Sequence, residues 1–263
     1  MKIAEVTRLI EEFAPLNIQE SWDNAGLQLG NPHVEATGAL LCLDVTEAIL
    51  DEAIAKGINL IITHHPLLFR GVKSITGRTA IERIVMKALK HDVAIYSAHT
   101  NMDSAWGGVS HRIAEKIGLS EVKVLSPQQH DGETLNVGLG VVGILPCEED
   151  VNDFLSRVKQ IFGVGAIRYC GNASKNVRKV AICGGAGSEF VRDAIVAGAD
   201  VLITGDVKYH EFMSAYDDIL VADIGHYESE QYTKEIFSEI ITKKIPNFAV
   251  HYAELEKNPI NYL

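Results

Sequence analysis

Short apolar runs along this chain alternate with segments whose apolar residues recur at helical spacing. The strand-like runs lie at residues 40–42, 59–62, 93–98, 181–183, 202–203 and 220–224. The helical segments at 49–54 and 190–195 each lead to a glycine, Gly57 or Gly198, as helix ends often do. Short, mostly apolar strands that alternate with helices are typical of parallel sheets buried on both faces. The pattern therefore predicts an α/β fold with largely parallel sheets.

The sequence also repeats itself, first at an offset of 141 residues and then at an offset of 127. In the first register, residues 40–42 align with 181–183, and Gly57 aligns with Gly198. In the second register, residues 93–99 align with 220–226. The change of offset indicates a longer connection in the first copy, which holds a helix at 81–89. With closing helices at 110–117 and 233–243, we expect two pseudo-symmetric β-α-β-α-β-α halves.

The segment between the copies has a different pattern of apolar and polar residues and is predicted to be a short linking subdomain. It contains a strand pattern at 136–145, an amphipathic helix at 148–161, a short strand at 166–170 and a polar loop at 126–132. The predicted organisation is a first α/β half at 1–120, the linking subdomain at 121–177, and a second α/β half at 178–263.

Composition narrows the range of functions. The 263 residues carry a formal net charge of −11, which argues against non-specific nucleic-acid binding but allows a small anionic substrate. No apolar stretch approaches the roughly 18–20 residues of a membrane span, and the first residues lack a signal-peptide pattern, so we expect a cytoplasmic protein without membrane partners. The four cysteines lack zinc-knuckle spacing, and Cys42 and Cys183 are predicted to be core residues.

Six side chains of metal-ligand type lie at related points of the two copies. His64 and His65 follow the strand at 59–62, whereas His99 and His226 each follow the third strand of a half. A carboxylate stands four residues after each of these two later histidines, Asp103 and Glu230 respectively. Ligands of α/β sheets bind beyond the carboxyl ends of the strands. We therefore predict a metal site between the halves, built from His64, His65, His99, Asp103, His226 and Glu230.

Each signal has a simpler interpretation when it stands alone. Adjacent residues on a regular strand point to opposite faces, so His64 and His65 can serve one site only where the strand ends. Asp103 and Glu230 could simply favour a helix N-terminus. The recurrence of the motif in both copies favours metal. Imidazole and carboxylate together suit Zn, Fe, Mn, Co or Ni, and six ligands predict two divalent metal ions per chain.

Other segments around these residues leave alternatives open. The loop at 70–78 carries Arg70, Lys73 and Arg78, which could bind a phosphate, although an exposed basic loop is the simpler interpretation. Residues 21–27 form either the edge of the site or a structural turn. Asp206, the repeat mate of His65, could accept a hydrogen bond from a ligand imidazole. The glycine-rich turn at 184–187 lacks dinucleotide-binding spacing.

At these residues the chain resembles a known family, the dinuclear metal-binding GTP cyclohydrolase 1 type 2 homologs, also called NGG-interacting-factor-like proteins. The matching motifs are THHP at 63–66, SAHTNMD at 97–103, GHYESE at 225–230 and WDNAGL at 22–27. The resemblance implies a two-metal site at the six residues, an α/β fold of two similar halves, and a homohexamer built as a trimer of dimers. It also implies hydrolytic opening of the guanine ring of GTP.

The leading interpretation is a dinuclear metal-dependent hydrolase that acts on a nucleotide or phosphorylated small molecule through a metal-bound water. GTP cyclohydrolase-like chemistry and phosphoester hydrolysis suit the same ligands equally, and the sequence assigns no catalytic acid or base. The alternative is a non-enzymatic, metal-dependent binding or regulatory protein. A purely structural metal is less expected, because structural zinc usually prefers cysteine ligands.

Overall fold

The structure of the protein, a computed structural model, describes residues 1–130, 133–171 and 176–263. Its strands are β1 Gly26–Leu29, β2 Ala39–Cys42, β3 Leu60–Thr63, β4 Ala94–Ser97, β5 Ser120–His130, β6 Glu133–Asp150, β7 Arg168–Cys170, β8 Asn176–Ala186, β9 Val201–Gly205, β10 Leu220–Asp223 and β11 Val250–Tyr252. Its helices are α1 Ile3–Phe13, α2 Glu47–Ala55, α3 Ala80–Lys90, α4 Thr100–Ser104, α5 Val109–Ile117, α6 Val151–Phe162, α7 Val191–Val196, α8 Tyr209–Ala215, α9 His226–Glu230 and α10 Thr233–Lys244. The predicted α/β class is confirmed.

The described chain divides into two units, each with its own sheet. The first unit comprises Met1–Ala105 and Thr233–Lys257, and the second comprises Trp106–Tyr232 and Asn258–Leu263. The first sheet has the order β1-β4-β3-β2-β11, and the second has the order β5-β6-β8-β9-β10-β7. The pseudo-symmetry of the predicted halves stays a prediction.

The first unit is built on parallel strands that the apolar pattern predicts. Strands β4, β3, β2 and β11 run parallel, and only β1 is antiparallel. Every residue of β2, β3 and β4 is buried, as expected for strands covered on both faces. Helices α2 and α3 supply Ile49, Leu50, Ile84 and Val85 to the core that contains Leu40 and other strand residues.

The second unit combines three parallel strands with antiparallel neighbours. Strands β8, β9 and β10 run parallel, whereas β5, β6 and β7 pair antiparallel. The register between its first two parallel strands repeats that of the first unit at the predicted offset. Ala39 pairs with Leu60 in the first sheet, and Val180 pairs with Val201 in the second. Cys42 and Cys183 are both buried in strands, as predicted.

The predicted linking subdomain does not stand apart from the second unit. Strand β6 pairs with β8 and β5 pairs with β6, so the long strands of this segment are part of the second sheet. The predicted boundaries at 120/121 and 177/178 therefore do not coincide with the two units. The polar-loop prediction is wrong for residues 126–130, which lie in β5, and residues 131–132 fall outside the described residues.

The two closing helices are correct in position but belong to different units than predicted. Helix α5 belongs to the second unit, and α10 belongs to the first. Helix α10 packs against β2 and α1, which explains its membership of the first unit. A helix long and apolar enough to cross a membrane does not occur among the described residues.

Candidate metal centre

The end of strand β3 brings two adjacent histidine rings to the same side of the first unit. The strand ends at Thr63, and the backbone N–H of His64 and of His65 donates to the carbonyl oxygens of Cys42 and Leu43. The His64 and His65 ring centroids are 4.9 Å apart. The turn after the strand thus removes the alternation that would separate these side chains on a regular strand.

His99 and Asp103 come from the next strand end of the same unit. His99 precedes the short helix α4, and the N–H of Asp103 donates to the His99 carbonyl oxygen at 3.0 Å. The possible ligand atoms of His64, His65 and His99 all lie within 4.8 Å of one another. Asp103 Oδ1 lies 3.7 Å from His64 Nε2. The structure thus brings together the four ligands predicted in the first unit.

Hydrogen bonds select the same ring nitrogen of each of these three histidines. Their Nδ1 atoms lie against oxygen acceptors: Ala98 O at 2.8 Å from His64, Asp44 Oδ1 at 3.0 Å from His65, and Asp23 Oδ1 at 2.8 Å from His99. A carbonyl or an ionised carboxylate can only accept, so Nδ1 carries the proton in the neutral ring. The lone pair is then on Nε2, as in carboxylate–histidine–metal arrangements.

Asp23 is a further residue of the candidate site, and its side chain is fully buried. It accepts from His99 Nδ1 and also from the backbone N–H and hydroxyl of Thr100. Burial alone would raise the pKa of Asp23, but the hydrogen bonds from His99 and Thr100 outweigh burial and lower this pKa to about 2. Asp23 is therefore an ionised acceptor that orients a predicted ligand.

The second unit presents a histidine and a carboxylate on helix α9. His226 Nε2 lies 3.0 Å from Glu230 Oε2, as the i, i+4 spacing allows. The Glu230 side chain is 4% exposed, whereas that of His226 is 31% exposed. His226 Nδ1 donates to Asp206 Oδ2 at 2.8 Å, which confirms the role predicted for Asp206. All four predicted ligand histidines therefore have Nδ1 held by an oxygen acceptor.

Two glycines allow the backbone to approach these ligands closely. A Cβ atom on Gly185, whose φ is +66°, would lie 2.2 Å from Glu230 Oε1. A Cβ on Gly205 would lie 2.8 Å from the backbone nitrogen of His226. Gly185 N–H also donates to Ser229 Oγ, between the two ligands on α9. The glycine-rich turn at 184–187 thus makes room for the ligand helix.

The donor set fits a divalent transition metal. Three imidazole nitrogens and a carboxylate converge in the first unit. In the second unit, one imidazole nitrogen lies next to one carboxylate. These donors suit Zn, Fe, Mn, Co or Ni better than Mg or Ca. Asp44 and Asp23 are acceptors that the sequence pattern did not predict. No sequence pattern pointed to Asp44. The segment that holds Asp23 was interpreted as a site edge or a turn and as a motif shared with the family, without a role for Asp23 itself.

Comparisons with known proteins agree with this fold. The model of the family Duf34/NIF3 (NGG1p interacting factor 3) matches residues 1–259. A GTP cyclohydrolase 1 type 2 homolog of Clostridium perfringens is 39% identical, over 88% of this chain and 87% of its own. Another relative with that name, from Lactococcus lactis, is 33% identical over 94% and 93% of the two chains.

Solved structures give the same result. The crystal structure of Staphylococcus aureus protein SA1388 matches with a TM-score of 0.92 and 29% identity, covering 100% of this chain and 99% of that one. Reduced HcgD from Methanocaldococcus jannaschii matches with a TM-score of 0.80 and 28% identity, covering 97% and 98%. The resemblance noted in the sequence is therefore confirmed, and the chain belongs to the Duf34/NIF3 family.

Proposed function

We propose that this chain is a metal-dependent hydrolase of nucleotides or other phosphorylated small molecules. Its two divalent ions are held by His64, His65, His99, Asp103, His226 and Glu230. The observation that carries the proposal is the common tautomer of the four histidines, each with Nδ1 held by an oxygen acceptor. A histidine with only a packing role does not need its Nε2 lone pair directed in this way.

The side chains around such a site have distinct roles. The acceptors Asp23, Asp44 and Asp206 hold the ring proton on Nδ1 and fix the orientation of each ring, so that Nε2 is left for metal. Asp103 and Glu230 supply negative charge that offsets the charge of the ions. When bound, the ions lower the pKa of water toward neutrality and so supply a nucleophile at physiological pH. The name shared by the relatives favours a nucleotide among the possible substrates.

The donor types argue against a purely structural metal. Structural zinc sites usually include thiolates, but Cys42 and Cys183 are buried in strands of separate units. Imidazole and carboxylate ligands are instead common in hydrolytic metal sites, where a coordination position is kept for water.

Elemental analysis combined with activity assays tests the proposal. We expect about two ions per chain in the wild type, as the six-ligand set requires, and fewer in His64→Ala and in Glu230→Ala. His33→Ala, at an exposed histidine outside the set, is the matched control and should keep the wild-type metal content. Activity on GTP and on a panel of phosphoesters is measured on the same samples.

The possible outcomes separate the hypotheses. Unchanged metal content in both ligand variants would refute the ligand assignment. Full metal content without turnover of any compound would refute the hydrolase and favour a metal-dependent binding or regulatory protein.

A further inference from the structure

Two large aromatic side chains are exposed beside His99 in the first unit. Trp22 is 57% exposed and Phe69 is 46% exposed. Their ring centroids lie 5.9 Å apart, and they lie 6.0 Å and 6.3 Å from the ring of His99. All three contacts are edge-to-face. Exposed aromatics that cluster next to polar functional groups commonly mark a binding surface.

Hydrogen bonds hold the two loops that carry these rings together. Asn24 Nδ2 donates to the carbonyl oxygen of Leu68 at 2.8 Å, and the Leu68 N–H donates to Gln28 Oε1 at 3.1 Å. Asp23, directly after Trp22, is fixed by its contacts with His99 and Thr100. The aromatic pair is therefore positioned before a ligand arrives, which lowers the entropic cost of binding.

A cluster of positive charge begins directly after Phe69. Arg70, Lys73 and Arg78 are all exposed, and residues 69–78 contain no acidic side chain. Within the part of the chain that the structure describes, these three side chains form no ion pair. Glu82 is occupied by the backbone N–H groups of Thr76 and Arg78. The chain as a whole has a net charge of −11, so this local excess of positive charge favours the binding of an anionic group here.

We propose that Trp22 and Phe69 form a platform on which the planar heterocyclic base of a nucleotide stacks, with its phosphate bound by the cations of the adjoining loop. The inference rests on the proposed function at the same site and specifies its substrate class. A sugar phosphate would contact only the cations, whereas a nucleotide would contact the cations through its phosphate and the aromatic rings through its base. Base–aromatic stacking tolerates different bases, because each base has a π-face.

The two tryptophans of the chain allow a direct test. Trp106→Phe leaves Trp22 as the single tryptophan, so its fluorescence reports on the platform alone. Metal-loaded protein is titrated with guanosine 5′-monophosphate and, separately, with ribose 5-phosphate. We expect saturable quenching of Trp22 by the nucleotide and none by the sugar phosphate.

Equilibrium dialysis then measures the contribution of the platform to affinity. Trp22→Ala should raise the Kd for guanosine 5′-monophosphate about tenfold and leave the Kd for ribose 5-phosphate unchanged. Trp22→Phe, which keeps an aromatic ring, should restore most of the affinity. The matched control is Tyr209→Ala, which removes an exposed aromatic whose ring lies 5.2 Å from His210, outside the predicted ligand set. It should change neither Kd.

Metal content and oligomeric state are measured on the same variants. Trp22→Ala should keep the wild-type metal content, so an unchanged nucleotide Kd in a metal-loaded variant would overturn the platform without touching the proposed function. Loss of metal in Trp22→Ala would also overturn it, since the ring would then act by supporting His99. A changed sedimentation coefficient with unchanged nucleotide affinity would assign the aromatic pair to a contact between copies of the chain.

Discussion

Replacing Asp23 with asparagine tests whether a buried carboxylate selects the ligating nitrogen of His99. Asparagine keeps the shape of the side chain but offers one oxygen and one NH2 group. Thr100 presents two donors to Oδ2 of this side chain, whereas His99 Nδ1 and the backbone N–H of Asn24 donate to Oδ1. Of the two nitrogen donors at Oδ1, only the ring of His99 can become an acceptor. We expect the amide oxygen to turn toward Thr100 and the NH2 group toward His99. His99 Nδ1 must then accept, which moves the ring proton to Nε2 and removes the lone pair for metal.

The size of the effect follows from the contacts of Asp23. Losing an acceptor that orients a metal-binding histidine typically weakens metal affinity by about 10- to 100-fold. In the metal-free protein, the lowering of the Asp23 pKa from 3.8 to about 2 corresponds to about 2 kcal/mol of stability. The amide oxygen of asparagine keeps part of the hydrogen bonding to Thr100, so we expect Asp23→Asn to lower the free energy of unfolding by about 1–2 kcal/mol at pH 7.

The contribution of Asp23 to the free energy of unfolding depends on pH with a definite sign. The folded-state pKa of Asp23 is lower than its unfolded value, so its contribution is fully present above about pH 4. It is lost as the pH falls toward 2, because the folded protein must then also bind the proton. Urea denaturation of metal-free protein should therefore show a stability difference between wild type and Asp23→Asn that narrows below pH 4.

Metal affinity is measured by competition with a chelator, and Asp44→Asn is the matched control. Asp44 accepts from His65 in the same way, but its side chain is 63% exposed, so water can take its place. We expect a loss several-fold smaller than that of Asp23→Asn. Nitrogen-15 NMR of His99 should show the changed tautomer. Wild-type affinity in Asp23→Asn, or equal losses in the two variants, would refute the reasoning.

Two further substitutions test the packing around the site and the first unit. Gly185→Ala places a Cβ 2.2 Å from Glu230 Oε1 and should lower the metal content. Gly198→Ala is the matched control, because Gly198 has a similar φ of +69° but its Cβ would have no atom within 4 Å. It should lower the free energy of unfolding by only about 1–2 kcal/mol and keep the metal. Glu52→Ala leaves two backbone N–H groups, at residues 254 and 255, without their buried acceptor. Urea denaturation should show a loss of about 2–4 kcal/mol, and an unchanged midpoint would contradict the assigned role of Glu52.

Much of the fold was predictable because the same pattern of strands and helices occurs twice in the sequence. The offset of 141 residues predicted the strand–helix–strand order of both copies, and in the structure β2 pairs with β3 in the same register as β8 with β9. Buried parallel strands must be apolar on both faces, which makes their runs conspicuous in the sequence. The candidate ligands were predictable for a related reason, since a strand end followed by a helix is a local feature that leaves His99 and His226 at equivalent points.

The edges of the sheets and the acceptors were not predictable in the same way. Strand β5 is largely polar, and the energy that stabilises it comes from pairing with β6, which depends on tertiary context. Asp23 lies 76 residues before His99, and nothing in the spacing connects them. A single buried carboxylate becomes an orienting group only through the fold, and the sequence shows it merely as a residue in a turn-like segment.

The repeat also explains why the two units hold unequal donor sets. The mates of His64 and His65 are Gly205 and Asp206, and the mate of Asp44 is Gly185. A side chain at Gly205 would meet the backbone of His226, and one at Gly185 would meet Glu230.

Helix α9 therefore already occupies the space into which side chains at positions 185 and 205 would extend. Asp206, the repeat mate of His65, instead accepts a hydrogen bond from His226 Nδ1. Among the predicted ligands, the second unit holds one imidazole and one carboxylate, whereas the first unit holds three imidazoles and one carboxylate. The asymmetry is thus a packing consequence of where α9 lies against its own sheet.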